Sequence, residues 1–274
     1  MHPDTRRKFI LPLIALLSAA EVTAQETPPS VRSFDRFEFD AATAHGLWVE
    51  AGTSFEREEE AGLSADAIIV LPRLAYGWNW GEAGLMIPYS RLHIEPFLLD
   101  VSDDDGIGDL SAYGKVLGRW GWSAATLGLD VSFPTGDEER RLGAGAVGFL
   151  PYAGLGANLG WWWATLERTD VRVHIGYRAF TRSEEAVDSL DYGGGVFGWV
   201  TDHIGVRIEF IGQRLDLTGA PNPVAFVPGI DVRVPVRAFD LLIRPTGLVG
   251  LTDSAPDWGV GGSLVLAWDP LASS

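Results

Sequence analysis

From about residue 44 onward, apolar side chains recur at every second position in about twelve successive stretches. In 126–133, Leu127, Leu129, Val131 and Phe133 share one face, and Thr126, Gly128, Asp130 and Ser132 share the other. In 170–180, Val171, Val173, Ile175, Tyr177 and Ala179 alternate with Arg172, His174, Gly176, Arg178 and Phe180. The same period runs through 205–213 and 230–238. Extended backbone sends successive side chains to opposite faces, whereas a helix repeats every ~3.6 residues. The alternation predicts twelve strands, at 44–55, 65–77, 80–92, 107–119, 121–133, 145–160, 168–181, 190–201, 203–214, 224–238, 240–251 and 257–268.

The connections alternate as well. Short turns are expected at 78–80, 119–122, 201–202 and 238–240, and longer, mostly acidic loops at 56–64, 95–106, 134–143, 181–189, 215–223 and 252–257. Only 161–167, "WWWATLE", breaks the pattern, being too long for a short turn. Two all-β architectures share such alternation. A soluble sandwich buries its apolar faces and wets its polar ones; a membrane barrel turns the apolar faces to lipid and the polar ones to its lumen. The strands are longer than the usual five or so residues and suit a tilted bilayer crossing. Trp78, Trp80, Trp120, Trp122, Trp161, Trp162, Trp163, Trp258 and Trp268 cluster near strand ends, as in an interfacial girdle. Charged residues sit mid-strand opposite Gly and Ser, which suits a wet interior. The expected fold is a transmembrane antiparallel up-and-down β-barrel of about twelve strands, whose even count puts both ends in the periplasm.

The first residues read as a targeting segment. Arg6, Arg7 and Lys8 precede the apolar run 9–20, and "VTA" at 22–24 is a small-residue cleavage motif. The expected organisation is a signal peptide 1–24, a periplasmic segment 25–43, the barrel 44–268 and a tail 269–274. The formal net charge is −16. Removing 1–24 takes away Arg6, Arg7 and Lys8 against Asp4 and Glu21, leaving −17. Such a polyanion does not seek nucleic acid. With no Cys, an exported chain has no disulfide framework.

Catalytic and cofactor signals are weak. Gly143, Gly145 and Gly148 spell G-x-G-x-x-G, but "FLPYAGLG" follows, and Pro151 with further glycines cannot form the helix that a dinucleotide site needs. The expected reading is an outer hairpin tip, with a return strand starting at the glycines and no cofactor. There is no G-x-S-x-G elbow and no H-E-x-x-H. His45 and His93 fall near strand ends, His203 in a short turn, and His174 on a polar face, so neither a catalytic set nor a metal site is expected. "DVSDDDG" at 100–106 lacks the spacing of a calcium loop and reads as solvated outer loop.

Four segments carry a resemblance. "LAYGWNWGEAGLMIPYS" (74–90), "GIGDLSAYGKVLG" (106–118), "VSFPTGD" (131–137) and "GLVGLTDSAPDWGVGGSLVLAW" (247–268) are together similar to segments of a family of Gram-negative outer-membrane barrels. That family is described as transporters associated with the meta-pathway of phenol degradation. The resemblance implies a barrel in the outer membrane and, more loosely, transport; aromatic compounds enter only through this likeness. Leu264, Leu266 and Trp268 match the outward-facing closing pattern read by the barrel-assembly machinery, although "DPLASS" follows here where such barrels usually end on an aromatic residue.

Parity assigns the lumen wall. Early strands contribute Glu50, Arg73, Glu82, Asp109, Tyr113, Lys115 and Asp130. Later strands contribute Asn158, Arg172, His174, Arg178, Arg207, Glu209, Gln213, Asp231, Arg233, Arg237 and Arg244. On this assignment acids prevail on the first five strands and bases on the seventh to eleventh, a field across the lumen that would select small anionic or polar solutes. The alternative is a filled, non-conducting barrel that acts through its acidic outer loops. Expected partners are outer-membrane lipid and lipopolysaccharide, the assembly machinery and an unnamed small solute.

Overall fold

The computed structural model describes residues 46–60, 63–78, 80–96, 102–138, 140, 142–181, 188–215, 222–236, 239–252 and 255–268; the expected signal peptide, the segment 25–43, the tail, His45 and Arg237 lie outside them. These residues form β1 Gly46–Glu60, β2 Leu63–Trp78, β3 Gly81–Met86, β4 Tyr89–Pro96, β5 Ser102–Ile107, β6 Leu110–Trp120, β7 Ser123–Phe133, β8 Gly148–Asn158, β9 Thr169–Phe180, β10 Ser189–Trp199, β11 Ile204–Leu215, β12 Val224–Val236, β13 Phe239–Gly250 and β14 Trp258–Trp268. The fourteen segments make twelve barrel strands, because β3 with β4, and β5 with β6, are each one crossing in two halves. β2 pairs with β3 through 73–78 and with β4 through 63–70. Pro88 has no N–H to give to the ladder, and the strand is interrupted there. Single bonds bridge the gap: Ile87 N donates to the Pro72 carbonyl at 3.1 Å and Gly108 N to the Pro88 carbonyl at 2.9 Å.

All pairings are antiparallel between neighbours, and the first strand closes on the last, from Leu47↔Trp268 to Arg57↔Trp258. Closure leaves no unpaired edge, which is what a strand-built wall in lipid requires. The two faces are inverted relative to a soluble protein. Leu127, Leu155 and Val260 are 63, 59 and 55 % exposed, while Arg73 and Glu82 are 2 and 1 % exposed. A soluble sandwich would reverse these values, so the apolar exterior is a lipid-facing wall. Leu127→Arg is therefore expected to cost about 2–4 kcal/mol, the range for a cation near the bilayer midplane of a barrel. Equilibrium unfolding in vesicles checks this, and an unchanged midpoint would contradict a lipid-facing Leu127.

Three boundaries depart from the sequence expectation. The loop expected at 56–64 shrinks to 61–62, because β1 and β2 continue to Glu60↔Leu63. Arg57 lies opposite Asp66 there, at 3.8 Å. Likewise the acidic stretch 102–106, expected in a loop, belongs to β5, with Asp105 opposite Arg91 and accepting a 2.7 Å hydrogen bond from the Tyr89 hydroxyl. Both extensions run through acidic sequence in which the apolar alternation is lost. Where both faces of a ladder meet water the period-two signal vanishes, and cross-strand opposite charges stabilise the pairing instead. Finally, the strand expected from 145 begins at Gly148, leaving Gly143 and Gly145 in the loop; Gly145 has φ 63°, a left-handed conformation that favours glycine.

Candidate functional site

The parity assignment puts the expected wall residues inside the barrel. Glu50, Arg73, Glu82, Asp109, Lys115, Asp130, Arg172, Arg178, Arg207, Glu209, Gln213, Asp231 and Arg244 are all buried; His174 and Arg233 are partly buried. They interlock in two groups. In the first, Glu50 and Arg73 occupy opposed positions on β1 and β2, with an Oε2–Nη1 distance of 3.4 Å. Glu82 and Lys115 are opposed on β3 and β6 at 3.8 Å, and the Tyr113 hydroxyl donates to Glu82 at 2.8 Å. The Arg73 guanidinium lies 5.6 Å from the rings of both Trp48 and Tyr113.

The second group covers β9 to β13. Arg178 Nη2 lies 3.2 Å from Asp191, and Arg172 Nη2 lies 3.6 Å from Asp170 with its guanidinium 4.0 Å from the Phe197 ring. Arg207 contacts Glu209 at 3.4 Å and Asp231 at 3.2 Å, and Asp231 also faces Arg244 at 3.8 Å. Nearer the rim, Arg233 binds Asp240 at 2.6 Å. Asp130, on β7, lies in the field of Arg178 and of Arg73, and so stands between the two groups.

This arrangement changes the expected field. Asp170 and Asp191 are 4 and 8 % exposed and were missing from the sequence assignment, although Asp170 shares the parity of Arg172. Counting them nearly balances the arginine wall. The ion pairs named above join neighbouring strands or positions two apart on one strand, while Asp130 feels arginines of strands that are not its neighbours. The interior is not uniformly polar either: Trp48, Ala75, Tyr113, Val265 and Ala267 form an apolar cluster. Among the spaces between the described residues are two small ones, of about 10 and 30 Å³, the larger lined by Ser54, Glu56, Arg207, Glu209 and Thr246 among others. Each holds one or two waters at most.

Asp109 takes a different position from the rest. Its carboxylate accepts hydrogen bonds from Gly136 N at 2.9 Å and Ala144 N at 2.8 Å, both in the loop that follows β7. Thr135 Oγ1 accepts from Leu110 N at 2.8 Å and donates to the Gly108 carbonyl at 3.2 Å. "GIGD" and "PTGD", two of the resembling segments, are thus the two halves of one clamp. Leu142 and Ala146 are buried beneath the loop. Among the histidines, His174 lies inside the barrel over Gly193, whose missing side chain leaves room for the imidazole. His93 is on β4 and His203 in the turn before β11.

Comparison with solved structures finds outer-membrane barrels. An outer-membrane channel from Pseudomonas putida F1 is similar over 84% of this chain and 100% of its own, with a TM-score of 0.61 at 12% identity. The β domain of the Bordetella autotransporter BrkA is similar over 82% of this chain and 100% of its own, with a TM-score of 0.50 at 12% identity. The transport unit of the autotransporter AIDA-I from Escherichia coli is similar over 94% of this chain and 99% of its own, with a TM-score of 0.50 at 9% identity. At such identities the likeness shows the fold: a closed twelve-strand antiparallel barrel of the outer-membrane type. No family model and no curated protein matches the sequence.

Proposed function

We propose that this chain is an outer-membrane channel of a Gram-negative bacterium that passes small solutes through a narrow, hydrated lumen. The observation that carries this reading is the charged interior. A barrel that needed only to be filled would gain stability from apolar residues, because buried ion pairs seldom repay their desolvation. Here Nε and Nη2 of Arg73, Oγ1 of Thr126 and Nε2 of His174 find no hydrogen-bond partner within the protein, and buried polar groups of this kind are normally met by water. The resemblance to the phenol meta-pathway family, together with the arginines of β9 to β13, makes aromatic and anionic compounds the first solutes to test.

A second reading has its own support. Glu50, Glu82, Asp170, Asp191, Glu209 and Asp231 all have a basic partner close by on the same or a neighbouring strand. That pattern suits a closed barrel acting through its outer loops. Planar bilayers separate the two. The channel predicts discrete conductance steps from the refolded protein. A barrel with full heat-modifiable gel migration and no conductance would establish the closed reading instead.

A further inference from the structure

Among the described residues, the connection between β8 and β9 is a short-side link with 3-10 structure of its own. It makes two 3-10 turns, Leu159–Trp161 and Ala164–Leu166. Asn158 closes it, accepting from Gly160 N at 2.9 Å and donating from Nδ2 to the Glu167 carbonyl at 2.8 Å and to Asp170 at 2.9 Å. Arg168 ties it to the next turn through Asp202 at 2.7 Å. So tightly bonded a loop could carry any polar side chains at its surface. It carries Trp161, Trp162 and Trp163 instead, 67, 50 and 58 % exposed. Trp122, from the neighbouring turn, stacks near Trp161 at 6.4 Å and meets Trp162 edge-on at 4.6 Å. Residues 159–166 contain no charge.

An indole has an apolar body and one N–H donor, and such groups concentrate where hydrocarbon meets headgroups. The patch is continuous with a surface already turned to lipid. Trp78, Trp120 and Trp268 end β2, β6 and β14 at the same rim, on the lipid-facing parity, and Trp80 packs edge-on against Trp78 at 5.3 Å. The opposite rim shows Trp258 together with Tyr and Phe side chains. We propose that the 159–167 loop is a membrane foot, a non-barrel element whose three tryptophans sit among the headgroups and carbonyls of the periplasmic phospholipid leaflet and hold the barrel at a fixed depth. This rests on the reading of the barrel as membrane-spanning, with its short turns on the periplasmic side.

The chain has no Cys, so single-cysteine labels test the foot directly. Trp162→Cys and, as a control in mid-wall, Leu127→Cys are labelled with an environment-sensitive fluorophore and refolded into phosphatidylcholine vesicles. Quenching is then compared between headgroup-level and mid-chain spin-labelled lipids. The foot predicts a blue-shifted Trp162→Cys label, quenched about twofold more by the headgroup-level lipid, and a Leu127→Cys label quenched more by the mid-chain one. Leu127→Cys in lipid with Trp162→Cys in water overturns the foot and leaves the spanning barrel standing; that result would be expected if the patch docked a periplasmic protein. Both labels in water would overturn the spanning reading itself. A triple change of Trp161, Trp162 and Trp163 to Ser, checked for folding by gel migration, should lower the affinity of the barrel for its depth, seen as a shift of the Leu127→Cys quenching profile between the two lipids. No shift would deny the loop its anchoring role.

Discussion

Arg207→Ala is expected to lower barrel stability by about 3 kcal/mol, the low end for breaking a buried ion pair. Arg207 bridges Glu209 and Asp231, and Asp231 in turn faces Arg244. Gly229 lies opposite on β12, where a Cβ would come within 2.6 Å of Arg207 Nε, so the strand has left room for the guanidinium. Removing it leaves two carboxylates, Glu209 and Asp231, against one arginine. Urea unfolding in vesicles reads the loss of stability. If the lumen conducts, the reversal potential in a salt gradient should move towards cations, and Arg207→Glu should move it further. A variant with unchanged midpoint and unchanged selectivity would show that this cluster neither braces the barrel nor lies on the ion path.

Asp109→Ala is expected to release the loop 134–147. The carboxylate is 6 % exposed and holds two backbone amides, and hydrogen bonds to a charged group are worth about 1.5–3 kcal/mol each. A combined loss of about 3 kcal/mol in local opening energy corresponds to a roughly hundredfold faster hydrogen exchange at the Gly136 and Ala144 amides. Asp109→Asn should fall between, since its one carbonyl oxygen can serve only one of the two donors well. Exchange at both amides as slow as in the unchanged protein would mean that Thr135 alone holds the loop. Gly143 belongs to the same clamp, because a side chain there would collide with Asp109 Oδ1.

These two sites differ in how far they could be read from the sequence. Arg207, Glu209 and Asp231 were legible as wall residues, since each lies at the polar phase of a clean alternation. Their mutual pairing was not, because it depends on register: Gly205 faces Asp231, which sets Arg207 diagonal to it. Asp109 was legible as an inward position by the same parity, but its partners come from a loop 27 and 35 residues away, which no local pattern encodes. Asp170 and Asp191 sit within three residues of the starts of β9 and β10, where parity is least marked, and with them comes the near balance of charge on β9 to β13.

The twelve-strand count, the inverted faces and the side of the barrel that carries the long loops were determined by the sequence alone. The reason is physical: a wall in lipid must be apolar at every second residue over its whole height, and nothing else imposes that period for so long. Only the tertiary structure decided how far β1, β2, β4 and β5 continue into the acidic stretches, which charges neutralise which, and how "GIGD" and "PTGD" meet. In those places no apolar alternation runs along the chain. Partners brought by distant strands, rather than any repeat along the chain, then set the outcome.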